Sequence, residues 1–184
     1  SIYLTKSDFA RAADCYKKAL PFMPHDKMLK TLLAYSLFLT DNEPLARKYL
    51  KEAIDTIEPC VITQNLLAED IYYNRVDKTS LKALFMYVDD SRESIMCKKT
   101  ALEESVKKCP NFRSGIFSLA ICHLQLQNPQ EAIRLLEEYH RQDPNDISVE
   151  YYLAELYYSR FDAPNACEAY ARAETLARKK GHLP

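Results

Sequence analysis

The stretch Tyr151–Ala173, YYLAELYYSRFDAPNACEAYARA, decides the fold. It sets Leu153-Ala154 before Tyr157, then a short turn, then Ala166, Tyr170 and Ala173. Small residues at helical spacing let two helix backbones approach closely, and the large residues between them fill the space left at the contact. The spacing is that of packing rather than of chemistry.

Outward from this stretch the same pattern returns. First helices carry Leu33-Ala34 with Leu37, Leu67-Ala68 with Ile71, and Leu119-Ala120 with His123. Second helices carry Ala12, Tyr16 and Ala19; Ala46, Leu50 and Ala53; and Ala132, Leu136 and Tyr139. Ala12 to Ala46, Ala46 to Ser80 and Ala132 to Ala166 are each 34 residues, as are Pro110 to Pro144. A constant period of this length marks stacked helical hairpins, none of which can bury its apolar face alone. The predicted pairs are Met28–Thr40 with Pro44–Ile57, Val61–Arg75 with Lys78–Asp89, Phe112–Gln127 with Pro129–Arg141, and Ile147–Arg160 with Pro164–Lys179. Asn128-Pro129 reads as an N-cap followed by proline at the first helical position, and Pro44 and Pro164 stand in equivalent places.

With this period and its Leu-Ala…Tyr, Ala…Tyr…Ala and Pro signature, the chain resembles the tetratricopeptide repeat family over nearly its whole length. The resemblance implies an all-α fold, a right-handed superhelix of antiparallel helix pairs. It implies one array over 1–184: a partial repeat at 1–26, repeats at 27–60 and 61–94, an irregular extra helix at about 91–111, and repeats at 113–146 and 147–180. It also implies a non-catalytic scaffold or adaptor whose concave groove, lined by first helices, binds a peptide or helical segment of another protein. Helical phase then selects the groove candidates: Tyr35, Phe38 and Leu39; Asn65, Glu69, Tyr72 and Tyr73; Phe117, Ile121 and Leu124; Tyr151, Glu155 and Tyr158. Tyrosine suits such a surface, since it offers a broad apolar face and a hydroxyl at low rotamer cost. Family members that hold acidic chaperone tails use Lys, Arg and Asn on these faces. Here the corresponding positions are Thr31, Tyr35, Asn65, Glu69, Phe117 and Ile121, which argues against a carboxylate clamp. The expected ligand has apolar anchors, with basic residues facing Glu69 and Glu155. A structural or self-associating subunit of a multiprotein complex, and a chaperone for a secreted or assembly partner, are the alternatives the family leaves open.

The period breaks once. Ser80 to Ala132 is 52 residues, one period plus 18, and the surplus lies in Asp89–Pro110. Asp90 and Glu93 have capping-box spacing, so a separate helix is expected at about Ser91–Cys109. Tyr3 matches the large residue late in a first helix, so the chain is expected to open inside a hairpin, as a fragment of a longer array would.

Composition agrees with an all-α chain. Two glycines leave little room for hairpin turns or phosphate-cradling loops. A net charge of −1 with interspersed signs gives no basic stripe, so no nucleic acid is expected. No apolar run approaches the ~18–20 residues that cross a bilayer, so no membrane is expected either. The six cysteines form no CxxC pair and point to reduced thiols in a cytoplasmic or similarly reducing compartment. No GxGxxG, GxxxxGK[ST], GxSxG or HExxH occurs, and no enzyme activity, cofactor or metal is expected. The spacings of Cys97, Cys109, Cys122 and His123 fit no common zinc site, and His123 reads as a packed core histidine.

Overall fold

The computed structural model describes residues 2–55, 62–89 and 91–179, and of these the side chains of residues 2, 5 and 62–65 lie outside the description. The described residues are helices joined by short turns. The chain forms two compact units, Ser1–Gly115 and Ile116–Pro184.

The first unit contains α1 (Ile2–Thr5), α2 (Phe9–Ala19), α3 (Lys27–Leu39), α4 (Glu43–Asp55), α5 (Ile62–Tyr72), α6 (Lys78–Lys82) and α7 (Arg92–Lys108). A 3-10 turn, Ala83–Phe85, extends α6. Helix α8 (Arg113–Gln125) begins in this unit and continues into the second, which adds α9 (Pro129–Gln142), α10 (Ile147–Ser159) and α11 (Ala163–Lys179). The all-α class of antiparallel helix pairs read from the sequence is the class observed.

The small residues of the sequence pattern are the contact points. Ala12, Ala34, Ala46 and Ala68 in the first unit, and Ala132, Ala154 and Ala166 in the second, are all buried. A larger side chain at any of them would separate two backbones. The partners beside them, Leu33, Leu50, Leu136, Tyr139 and Leu153, are equally enclosed. Each such side chain contributes roughly 1.5–3 kcal/mol by leaving water. Helix α3 packs against α2, α4 and α5, so it buries nearly its whole circumference, including Thr31, Tyr35 and Ser36.

One turn geometry joins the two helices within each pair. Ser7, Asp41, Asn74, Gln127 and Phe161 all take positive φ, between 54° and 60°. After each, the next amide reaches back to a carbonyl five residues earlier: Asp8 to Tyr3, Asn42 to Leu37, Arg75 to Asp70, Asn128 to His123 and Asp162 to Tyr157. This is the Schellman closure, which satisfies carbonyls left open at a helix end. Asp8, Asn128 and Asp162 then accept backbone amides of the following helix, from Arg11, Glu131 and Asn165. The scarcity of glycine therefore excludes less than the composition suggests, because non-glycine residues supply the positive φ.

The irregular segment departs from expectation in detail. The helix expected over Lys78–Asp89 stops after Phe85, where Met86 turns to extended backbone. Lys98 of α7 donates to the Leu84 carbonyl at 2.8 Å, so a tertiary partner replaces the next helical turn. Asp90 lies outside the described residues, and the cap observed on α7 is Ser91, whose hydroxyl accepts from the Ser94 amide. At the start of α8, a Cβ on Gly115 would stand 2.3 Å from the buried Phe112 ring, so only glycine fits this close approach.

Candidate functional site: tyrosine faces on the first helices

In the second unit, Asp146 caps α10 by accepting the Ser148 amide, and it also accepts the Tyr139 hydroxyl at 2.7 Å. This fixes the helix phase. Val149, Glu150, Leu153 and Ala154 face inward, leaving Tyr151, Tyr152, Glu155 and Tyr158 exposed. The Tyr151 ring lies 6.2 Å from Tyr152 and 6.3 Å from Tyr170 of α11, both edge-on. Tyr170 donates to Glu155 at 2.5 Å, and that carboxylate holds the phenol proton on, pushing the Tyr170 pKa up to about 12. Tyr158, at 68% exposure, and Phe161, at 96%, stand beside Ser159 and Ala163 around a shallow apolar depression.

The other candidates are placed differently. Phe117 is buried against Tyr139 and Tyr152, with centroids at 5.4 and 5.7 Å. Ile121 is exposed and Leu124 half-buried. In the first unit Tyr73 is exposed and packs edge-on to half-buried Tyr72 at 5.1 Å, with the Arg75 guanidinium over the Tyr73 ring. Phe38 and Leu39 are half-buried, and the Lys78 ammonium lies 5.1 Å over the Phe38 ring. Tyr35, expected on an open face, has no exposed surface. Phe9 meets it edge-on at 5.9 Å and Phe85 lies over it at 4.2 Å. Burial pushes its phenol pKa up. The Asn65 side chain lies outside the described residues. Glu69 accepts from Arg113 and has Arg75 at 3.7 Å, so cations of its own chain already meet the charge expected to face a ligand.

Two carboxylates with no exposed surface escaped the sequence reading. Asp70 accepts from the Ser114 amide and hydroxyl at 2.8 and 2.7 Å, with Arg113 and Arg75 nearby. Burial raises its pKa against these partners. Glu150, also without exposed surface, meets Arg172 at 2.9 Å and His140 at 2.6 Å. The signal for it was positional: Ile116, one period earlier, is a buried apolar residue. Buried charges persist where they are paired, and these two join helices rather than face an open site. Among the described residues no group of three or more His, Cys, Asp or Glu is placed to hold a metal, and no helix is long and apolar enough to cross a membrane. The exposed arrangement offers aromatic faces, hydroxyls and a carboxylate, which is the chemistry of recognition.

The tetratricopeptide repeat family model matches residues 113–156. Among solved structures, the crystal structure of MamA is similar over 98% of this chain and 95% of its own, at 16% identity and a TM-score of 0.48. No curated protein matches. The family match runs from Arg113 in α8 to Leu156 in α10.

Proposed function

We propose that this chain is a non-catalytic scaffold that binds a segment of another protein on the tyrosine faces of its first helices, in a reducing compartment such as the cytoplasm. The observation that carries this reading is the row Tyr151, Glu155 and Tyr158, which the buried side of α10 holds toward solvent. The Tyr151 ring is anchored at one edge by Tyr152 and Tyr170 and open at the other, and Tyr158 stands open beside Phe161. A partner with apolar anchors can cover them at little further ordering cost.

Tyr73→Ala, Tyr151→Ala and Tyr158→Ala test it. Partner proteins captured by the parent should be retained at least fivefold less by each variant, with unchanged circular dichroism and melting temperature. Equal capture by all three removes these faces from the proposal.

A second reading, assembly into a larger complex or with copies of itself, draws on Phe161 and on Phe22, which is 85% exposed. Large apolar side chains left this open often mark contact sites. Light scattering separates the two: a monomer across a hundredfold concentration range argues against self-association.

A further inference from the structure

In α5 and α10 a carboxylate directly follows the Leu-Ala pair of the first helix: Glu69 after Leu67-Ala68, and Glu155 after Leu153-Ala154. The equal spacing puts both on the same helix face. In the first unit the charge of Glu69 is already matched. It accepts from the Arg113 guanidinium and has Arg75 at 3.7 Å, and the Arg75 guanidinium also lies over the Tyr73 ring, 5.2 Å from its centroid. Carboxylate, tyrosine face and guanidinium there form one closed set within the chain.

At Glu155 the carboxylate and the rings are present without the cation. Tyr151, four residues before it, and Tyr158, three residues after it, share its helix face, and all three are exposed. Tyr170 of α11 donates to Glu155 Oε1 at 2.5 Å and meets Tyr151 edge-on at 6.3 Å. Three phenols thus surround the carboxylate, offering ring faces and hydroxyls but no positive charge. Among the described residues Glu155 joins no ion pair. The face of an aromatic ring is electron-rich, so rings and carboxylate attract the same partner, a cation. A guanidinium suits both at once, because its planar fork bonds a carboxylate while its face stacks on a ring. An ammonium is a strongly hydrated point charge with no face to stack.

We infer that Tyr151, Glu155, Tyr158 and Tyr170 receive an arginine side chain of the partner segment, its guanidinium bonding Glu155 and stacking on a tyrosine ring, as Arg113 and Arg75 together do at Glu69. An apolar neighbour of that arginine fits the depression of about 320 Å³ beside Tyr158 and Phe161. The inference rests on the scaffold reading and names what the α10 face recognises. The α5 face, whose carboxylate is satisfied from within the chain, does not share this preference.

Titration of the full chain with acetyl-Leu-Arg-Leu-amide, followed by backbone amide shifts, tests it. Saturable shifts centred on Tyr151, Glu155, Tyr158 and Tyr170 are expected. The same peptide with citrulline, which keeps the shape of arginine without its charge, should bind at least about fivefold more weakly, and the lysine peptide several-fold more weakly. Glu155→Gln still offers an acceptor to the Tyr170 hydroxyl. It should leave the melting temperature unchanged and erase the preference for arginine over citrulline. Shifts that do not saturate, a citrulline or lysine peptide that binds as tightly as the arginine one, or a preference that survives Glu155→Gln each overturn the inference. Self-association of the chain that Glu155→Gln abolishes also overturns it, by giving the site to a second copy. If Tyr151→Ala and Tyr158→Ala lose captured partners while the citrulline peptide binds as well as the arginine one, the scaffold reading stands and the arginine falls.

Discussion

At Phe161 a single backbone angle shows how the turns are built and where they are strained. A left-handed conformation costs an L-residue about 1–2 kcal/mol, and only glycine, asparagine and aspartate visit it readily. Asp41 and Asn74 occupy the position cheaply, whereas Phe161 carries a bulky ring at φ 60° with almost all of its surface in water. Neither packing nor local hydrogen bonding by the side chain offsets the strain. Phe161→Gly should therefore raise the melting temperature, by about 0.5–1 kcal/mol of stability after the entropy of the freed unfolded chain is deducted. Thermal melts of the two proteins check it, and an unchanged or lowered midpoint refutes the strain. If assembly also depends on Phe161, the same variant should stay monomeric at concentrations where the parent associates.

Among the elements, α6 is the shortest with a side-chain cap, and one carboxylate holds it. Asp77 accepts the Thr79 and Ser80 amides at 2.8 and 2.9 Å and the Ser80 hydroxyl at 3.0 Å. From the end of α7 it also receives the Lys108 ammonium at 2.9 Å and the Cys109 thiol at 3.4 Å. Partial burial opposes ionisation, but these donors together hold its pKa well below the usual carboxylate range. A depressed pKa means that the unfolded chain takes up the proton first as pH falls. The stabilisation is therefore complete above the ordinary Asp value of about 3.9 and is lost as pH drops below it toward the folded value. The melting-temperature gap between the parent and Asp77→Asn should be constant from about pH 6 to 8 and narrow between about pH 4 and 2. A gap independent of pH would show that the charge does not tie α6 to α7. The sequence marked an extra helix here but misjudged the length of α6, because the carbonyl that ends it finds Lys98 fourteen residues later.

For the molecule as a whole, the recurring small residue is the stabilising device. Ala154 has no exposed surface where α10 meets its neighbours. Three added carbons have no room there, and overpacking of this kind costs about 1–3 kcal/mol. Ala154→Leu should lower the melting temperature by several degrees and speed amide exchange in α10 and α11. A variant as stable as the parent would mean that close approach of the backbones is not what holds these helices. The equivalent alanines and their leucine partners were legible in the sequence, since one face of a helix follows from residue spacing alone. The candidate site was legible only in part. Tyr73, Tyr151 and Tyr158 are exposed, whereas Tyr35 and Phe117 are buried at positions the same phase rule selected. Phase tells which residues share a face, but not what lies opposite that face.

The sequence by itself determined that the chain is all helix, that its helices pair, and that the pairs recur every 34 residues on either side of one break. Those properties depend on propensity and on spacing within a single helix. The tertiary structure alone decided which tyrosines reach water, because α3 is enclosed by α2, α4 and α5 while one side of α10 stays open. It also decided how Asp70 and Glu150 are neutralised and where residues 83–108 fold. Each of these depends on contacts between residues far apart in the chain, whose closure no local pattern encodes.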